Sequence, residues 1–210
     1  MKQLLIALLM AIPALCAQAQ TSEYTPKRYL AGAVPTVNGY VTFSQEQKVE
    51  GKSKEELFNV LREYIDKRIV NGPDHLQQAR ITEADATTGI IAASIDEYLY
   101  FKRTNWQIHR VHFYYQLIAE AKDGGYTITM RNLHYKYDPD ANPGEMDNDY
   151  RAENWITDDA ALSKNGKKLA RVSGKFRKFT IDRKDQIFKG AARAAGVKGI
   201  TTTMEEEEEE

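Results

Sequence analysis

Four consecutive runs between residues 78 and 138 set the tightest limit on how this chain can fold. Residues 79–83, 89–102, 111–122 and 126–137 are each rich in β-branched or aromatic side chains and are separated by turn-forming residues. Such side chains suit a pleated, half-buried surface, so the spacing predicts an antiparallel meander. Asp123-Gly124 adds a register, because a two-residue loop there places Ala121 opposite Tyr126 and Tyr115 opposite Asn132. Side chains alternate along a strand, so the register also sorts the faces. Val111, Phe113, Tyr115, Leu117, Ala119, Ile128 and Met130 fall on one face, with His134 expected beside Phe113. His112, Tyr114, Gln116, Glu120, Thr127, Thr129, Arg131 and Tyr135 fall on the other. The first set is apolar enough to meet helices.

Helical signals flank the meander. Tyr40, Val41, Thr42 and Phe43 open a strand that Gly51 stops, and Ser53 with Glu56 forms a capping box for the helix that follows. Leu57, Val60, Leu61, Tyr64 and Ile65 then recur at helical spacing, and Asn71-Gly72-Pro73 ends the run. Beyond an Asp-, Asn- and Pro-rich loop over 138–154, Thr157 is placed to cap a short helix. The basic stretch 167–178 is expected to be a strand ending at Phe179. Asp182 is expected to cap a last helix carrying Ile187, Phe188, Ala191, Ala192 and Ala195, closed by Gly196.

Residues 1–19 have the build of an export leader. Lys2 supplies the positive end, residues 4–15 an apolar run broken by Pro13, and Ala17 and Ala19 the small residues at a cleavage site before Gln20. That run is well short of the ~20 apolar residues a spanning helix needs, so no transmembrane span is expected. Cys16 is the chain's one cysteine. It could be lipidated as the first residue of a mature lipoprotein, but Leu15 stands where such sites carry a small residue, so plain cleavage and a periplasmic or secreted protein are the expectation. The expected division is a leader over 1–19, an N-terminal arm or linker over 20–38, one α+β domain over 39–197 and an acidic disordered tail over 198–210. Without Lys2 and the six terminal glutamates, 28 Lys and Arg face 24 Asp and Glu, a net of +4. That balance argues against a nucleic-acid binder.

Strand, helix, four strands, helix is the order of the TATA-binding-protein-like (TBP-like) fold, a curved antiparallel sheet with helices on one face. The 41–43 strand, Ser53-Lys54-Glu55-Glu56-Leu57-Phe58, Ile156-Thr157-Asp158-Asp159 and Phe176-Arg177-Lys178-Phe179-Thr180-Ile181-Asp182 further resemble the secreted bacterial family DUF4468, a domain of unknown function. The resemblance runs over residues 39–196. It implies the fold and an export route, with no activity and no catalytic residues to carry over.

The chemistry-bearing residues do not assemble into a known signature. His109 and His112 are three apart, which on a strand sends them to opposite faces, and His75 lies in the turn after the first helix, so no metal site is expected. Asp138, Asp140 and Asn142 begin like a calcium loop, but Pro143 and Asp149 occupy its essential glycine and glutamate positions. Asp96 and Glu97 are adjacent on a strand and point apart, the wrong geometry for a glycosidase pair. No Gly-x-Ser-x-Gly elbow, no Ser-x-x-Lys pair and no phosphate-cradling glycine loop occurs. No catalytic residue and no cofactor is therefore assigned. The polar face, with more tyrosine than an idle surface needs, supplies the candidate ligand-binding residues His112, Tyr114, Gln116, Arg131 and Tyr135. The expected function is a non-catalytic exported binding module for an envelope protein or glycan. An envelope hydrolase assembled from distant residues and a small-molecule or lipid carrier are the alternatives.

Overall fold

The structure is a computed structural model that describes residues 25–137 and 150–199. The leader with Cys16, the calcium-like residues Asp138, Asp140 and Asn142, and the terminal glutamates lie outside the described residues. Strands β1 (Thr36–Val37), β2 (Tyr40–Lys48), β3 (Arg80–Asp85), β4 (Ile90–Arg103), β5 (Ile108–Lys122), β6 (Gly125–Tyr137) and β7 (Tyr150–Arg151) form one antiparallel sheet in the order β1-β2-β6-β5-β4-β3, with β7 on β6. The helices pack on one side of it. They are α1 (Lys54–Tyr64), α2 (Ala152–Trp155), α3 (Asp158–Ala161) and α4 (Ser173–Ala194), so the expected α+β, TBP-like architecture is present.

Local chemistry explains the element starts. The Ser53 hydroxyl accepts from the Glu56 amide at 3.2 Å while the Glu56 carboxylate accepts from the Ser53 amide at 2.9 Å, the capping box anticipated above. α1 then runs into a π-helix over Ile65–Val70, and Leu57, Phe58, Leu61, Ile65 and Ile69 are all buried. Fully burying each such side chain is worth roughly 1.5–3 kcal/mol. The Asp123-Gly124 hairpin has the expected register, Ala121 facing Tyr126. At the other end of the chain the Val197 amide donates to the Ala192 carbonyl and the Gly196 amide to Arg193, closing α4 at the glycine anticipated for it.

Four expectations need correction. The first concerns β6: Asn132 adopts φ 55, and the pairing with β5 slips between Tyr114 and Gln116. This bulge inserts one residue and reverses the alternation beyond it, so Leu133 and Tyr135 face the core and His134 the opposite side. Secondly, the basic stretch from 173 onward is helix, not strand; α4 begins at Ser173, and Asp182 sits inside it rather than at its cap. Phe176, Arg177, Thr180 and Ile181 are buried along it, and the burial of an arginine hides the helical period.

Thirdly, the arm belongs to the domain from Thr25 onward. Asn38 and Gly39, with φ 51 and 84, turn a β1–β2 hairpin, the left-handed pair that an Asn-Gly turn favours. Tyr29 is buried, and its hydroxyl donates to Asp182 at 2.6 Å. The wholly buried Arg177 guanidinium donates to the carbonyls of Tyr29, Leu30 and Ile156 and to the Asp158 carboxylate, all at 2.6–2.7 Å. One arginine thus satisfies three backbone acceptors and a carboxylate, riveting the arm and the 156–158 turn to α4. Fourthly, residues 150–154, expected to be loop, instead lie in β7 and α2.

Candidate functional site

No described element lies over the second face of the sheet, and β4, β5 and β6 place their side chains there in rows. Ser94, Gln116 and Arg131 make one row, Asp96, Tyr114 and His134 the next, and Tyr98, His112 and Lys136 the third. The middle row holds an unusual group. Asp96 is 4% exposed, and its Oδ1 makes no hydrogen bond; His112 Nδ1 stands 3.5 Å from it. Burial pushes the Asp96 carboxyl above its ordinary range, while the positive charges available at His112 and His134 pull the other way.

Rings wall this carboxylate. Tyr114 and His134 stack with centroids 4.6 Å apart and planes 4° from parallel. His112 meets Tyr98 edge-on at 5.1 Å, and the Tyr114 hydroxyl lies 3.2 Å from His112 Nδ1. The Arg110 guanidinium sits 3.7 Å over the Tyr98 ring, a cation–π contact. On the exposed side, Gln116 Oε1 accepts from Arg131 Nε at 3.2 Å and from Asn132 Nδ2 at 2.9 Å. The result is a face with donors and acceptors spread around one buried, incompletely satisfied acceptor.

Four of the five sequence candidates, His112, Tyr114, Gln116 and Arg131, stand on this face. Tyr135 does not. The Asn132 bulge turns it into the core, where it stacks on Phe113 with planes 9° apart and shares a 2.7 Å hydrogen bond with the Thr180 hydroxyl. Sequence reasoning missed Asp96, Tyr98, Arg110 and His134. Asp96 had a readable signal, since Ser94, Asp96, Tyr98 and Tyr100 alternate on β4 as His112, Tyr114 and Gln116 do on β5.

Glu97, the neighbour of Asp96, points to the helix side. Its carboxylate accepts from Arg183 Nε and Nη2 at 2.8 and 2.6 Å and from the Tyr115 hydroxyl at 3.0 Å. Burial, and then the Glu97 charge, raises the Tyr115 phenol far above its ordinary range. Glu97 is thus a structural ion-pair partner, and the two carboxylates diverge as the alternation requires. His109 and His112 likewise diverge, His109 packing on Phe101 at 5.1 Å. Among the described residues, no group of three or more His, Cys, Asp or Glu is disposed to hold a metal ion.

A family model described as a domain of unknown function (DUF4468) with TBP-like fold matches residues 43–136. The crystal structure of a DUF4468 family protein from Bacteroides ovatus is 31% identical, with a TM-score of 0.71, over 80% of this chain and 94% of that one. A TBP-like protein from Parabacteroides distasonis shares the fold at 22% identity and a TM-score of 0.60, over 78% of this chain and 97% of that one. No curated protein matches the chain. The family match and an identity sustained along nearly the whole of the Bacteroides ovatus protein agree: the chain belongs to the DUF4468 family, a domain of unknown function with the TBP-like fold.

Proposed function

We propose that the protein is a non-catalytic binding module of the cell envelope, exported through the leader at residues 1–19, and that the polar face of its sheet takes an envelope glycan. One observation carries the reading: Asp96 is buried on that face with an oxygen left unbonded. An unmade hydrogen bond at a buried acceptor costs a fold about 1–3 kcal/mol, and a ligand hydroxyl or amine that reaches it recovers that loss. The neighbours suit a polyol, because Gln116, Arg131, Asn132 and His112 offer both donors and acceptors at the edge of the same patch.

The hydrolase alternative has one observation in its favour, the convergence of Asp96, His112 and Tyr114. Against it, the described residues bring no second carboxylate to Asp96, since Glu97 turns to the helix side and pairs with Arg183. The carrier alternative needs a space between sheet and helices that is instead occupied by the core, from Leu57 and Leu61 through Leu117 and Met130 to Ile187 and Phe188.

Titration of the labelled protein with soluble peptidoglycan fragments and envelope polysaccharides, followed by NMR, tests the reading. Shifts confined to the residues around Asp96, with affinity lowered about tenfold or more in Asp96→Asn, are expected. Shifts elsewhere on the molecule, or none with any glycan, overturn it. Conversion of the glycan, abolished in Asp96→Asn, makes the protein an enzyme.

A further inference from the structure

A different part of the surface combines an exposed indole with unneutralised cations. Trp106, at the tip of the β4–β5 hairpin, is 97% exposed. The loop that carries it is held from within: the Thr104 amide donates to the Gln107 carbonyl, the Gln107 amide to the Thr104 hydroxyl, and Lys102 Nζ to Gln107 Oε1 at 2.8 Å. The indole is therefore held in water by an ordered turn. Ile108, two residues on, and Val172, just ahead of α4, are also more than half exposed.

The first turns of α4 lie at this same end. Phe101, near the end of β4, packs on Phe176 at 4.7 Å and on Phe179 at 5.5 Å. Lys175 directly precedes Phe176, whose ring meets Phe101, and burial and then the Lys175 charge hold the nearby His109 imidazole below its usual range. Between the 25–29 segment and residues 168–178 opens a cleft of about 560 Å³, lined by Lys168, Arg171, Lys175 and Lys178 with no carboxylate in the lining. Lys178 rests over the Tyr29 and Phe179 rings. Lys168, Arg171 and Lys175 form no ion pair with any described residue. A monomer with no use for this end would leave the cations solvated but would gain nothing from a fixed, fully wetted tryptophan.

We infer that this end of the molecule docks on an anionic lipid surface, Trp106 entering the headgroup layer while Lys168, Arg171 and Lys175 meet lipid phosphates. Tryptophan prefers that layer, where an apolar body and a polar N–H are both accommodated, and basic residues beside it are drawn to anionic lipids. A protein partner would need a pocket shaped for one protruding ring, whereas a fluid interface accepts it without shape complementarity. None of these residues belongs to the Asp96 face, so the inference stands or falls apart from the glycan reading.

Co-sedimentation of the chain from Gln20 onward, which contains every described element, tests it. The vesicles are equal parts phosphatidylglycerol and phosphatidylcholine, or phosphatidylcholine alone. Binding to the anionic vesicles alone is expected, weakening as salt is added, with quenching of Trp106 by brominated lipid. Trp106→Ser lowers the partition coefficient about tenfold. Lys168→Gln, Arg171→Gln and Lys175→Gln together lower it about a hundredfold. All four substitutions are of exposed side chains, and an unchanged melting temperature verifies the fold. No co-sedimentation, equal binding to both vesicles, or binding that neither variant weakens overturns the inference. So does loss in the triple variant alone with displacement by inorganic phosphate, which reduces the cleft to a simple anion site, and so does capture by an acidic protein with no vesicle binding.

Discussion

At the scale of single residues, two buried charged groups behave in opposite ways. Arg177 is fully served by its four acceptors, and Lys cannot copy the fork that reaches them all. Arg177→Lys is expected to destabilise the protein by about 3 kcal/mol, a fall on the order of 10 °C in Tm by calorimetry. Asp96 is the reverse, a carboxylate that the fold ionises reluctantly. Because burial raises its folded pKa above the unfolded value, its penalty is absent below the ordinary carboxylate range. The penalty grows as pH rises through that range and is complete above the raised folded value. Asp96→Asn should therefore be more stable than the parent at pH 7, by about 1 kcal/mol, and the advantage should vanish on acidification. Parallel urea titrations at pH 7 and in acid read both halves of this expectation. A gain in stability coupled to a loss of ligand is the pattern of a residue kept for binding.

At the scale of elements, α1 and α4 meet through a glycine. A Cβ at Gly190 would stand 2.2 Å from the Tyr64 hydroxyl, which itself donates to the Ile187 carbonyl at 3.0 Å. Alanine normally gains about 1 kcal/mol over glycine inside a helix, yet Gly190→Ala is expected to lose 1–3 kcal/mol by overpacking, roughly, as measured by denaturant midpoint. The pairings and caps in this region were open to sequence reasoning because each depends on two or three adjacent residue types. Ser53 with Glu56 and Asp123 with Gly124 are examples. The β6 bulge left a trace that was passed over: Tyr126, Ile128 and Met130 alternate with polar residues, Arg131 and Asn132 are two polar residues in succession, and Leu133 and Tyr135 resume in the opposite phase, just where Asn132 takes φ 55. That single angle moved Tyr135 into the core and His134 onto the candidate site. The start of α4 was illegible: helical periodicity is read from apolar residues, and here an arginine occupies a core position.

At the scale of the whole molecule, the sheet order brings together segments far apart in the chain. β2 lies beside β6, and the arm lies under α4. The overall architecture was accessible from the succession of elements, but the arm's attachment was not, because Tyr29 and Leu30 contribute backbone carbonyls that carry no residue signature. Removing residues up to Leu30 strips the Arg177 guanidinium of two acceptors and exposes the Tyr29 site. The truncated chain should melt in one transition displaced downward on the order of 10 °C, seen by circular dichroism and calorimetry alike. An unshifted transition would show that the arm is not part of the cooperative unit.

The Arg177 rivet also dictates an order of events during synthesis. Its guanidinium and the Tyr29 carbonyl it holds are 148 residues apart, and Tyr29 waits on Asp182 across 153. A ribosome has passed β6 before the earliest strands find it, and has passed Asp182 before the buried Tyr29 is covered. The segment around Tyr29 thus stays undocked until α4 emerges, and completion of that helix is the step that locks it in place.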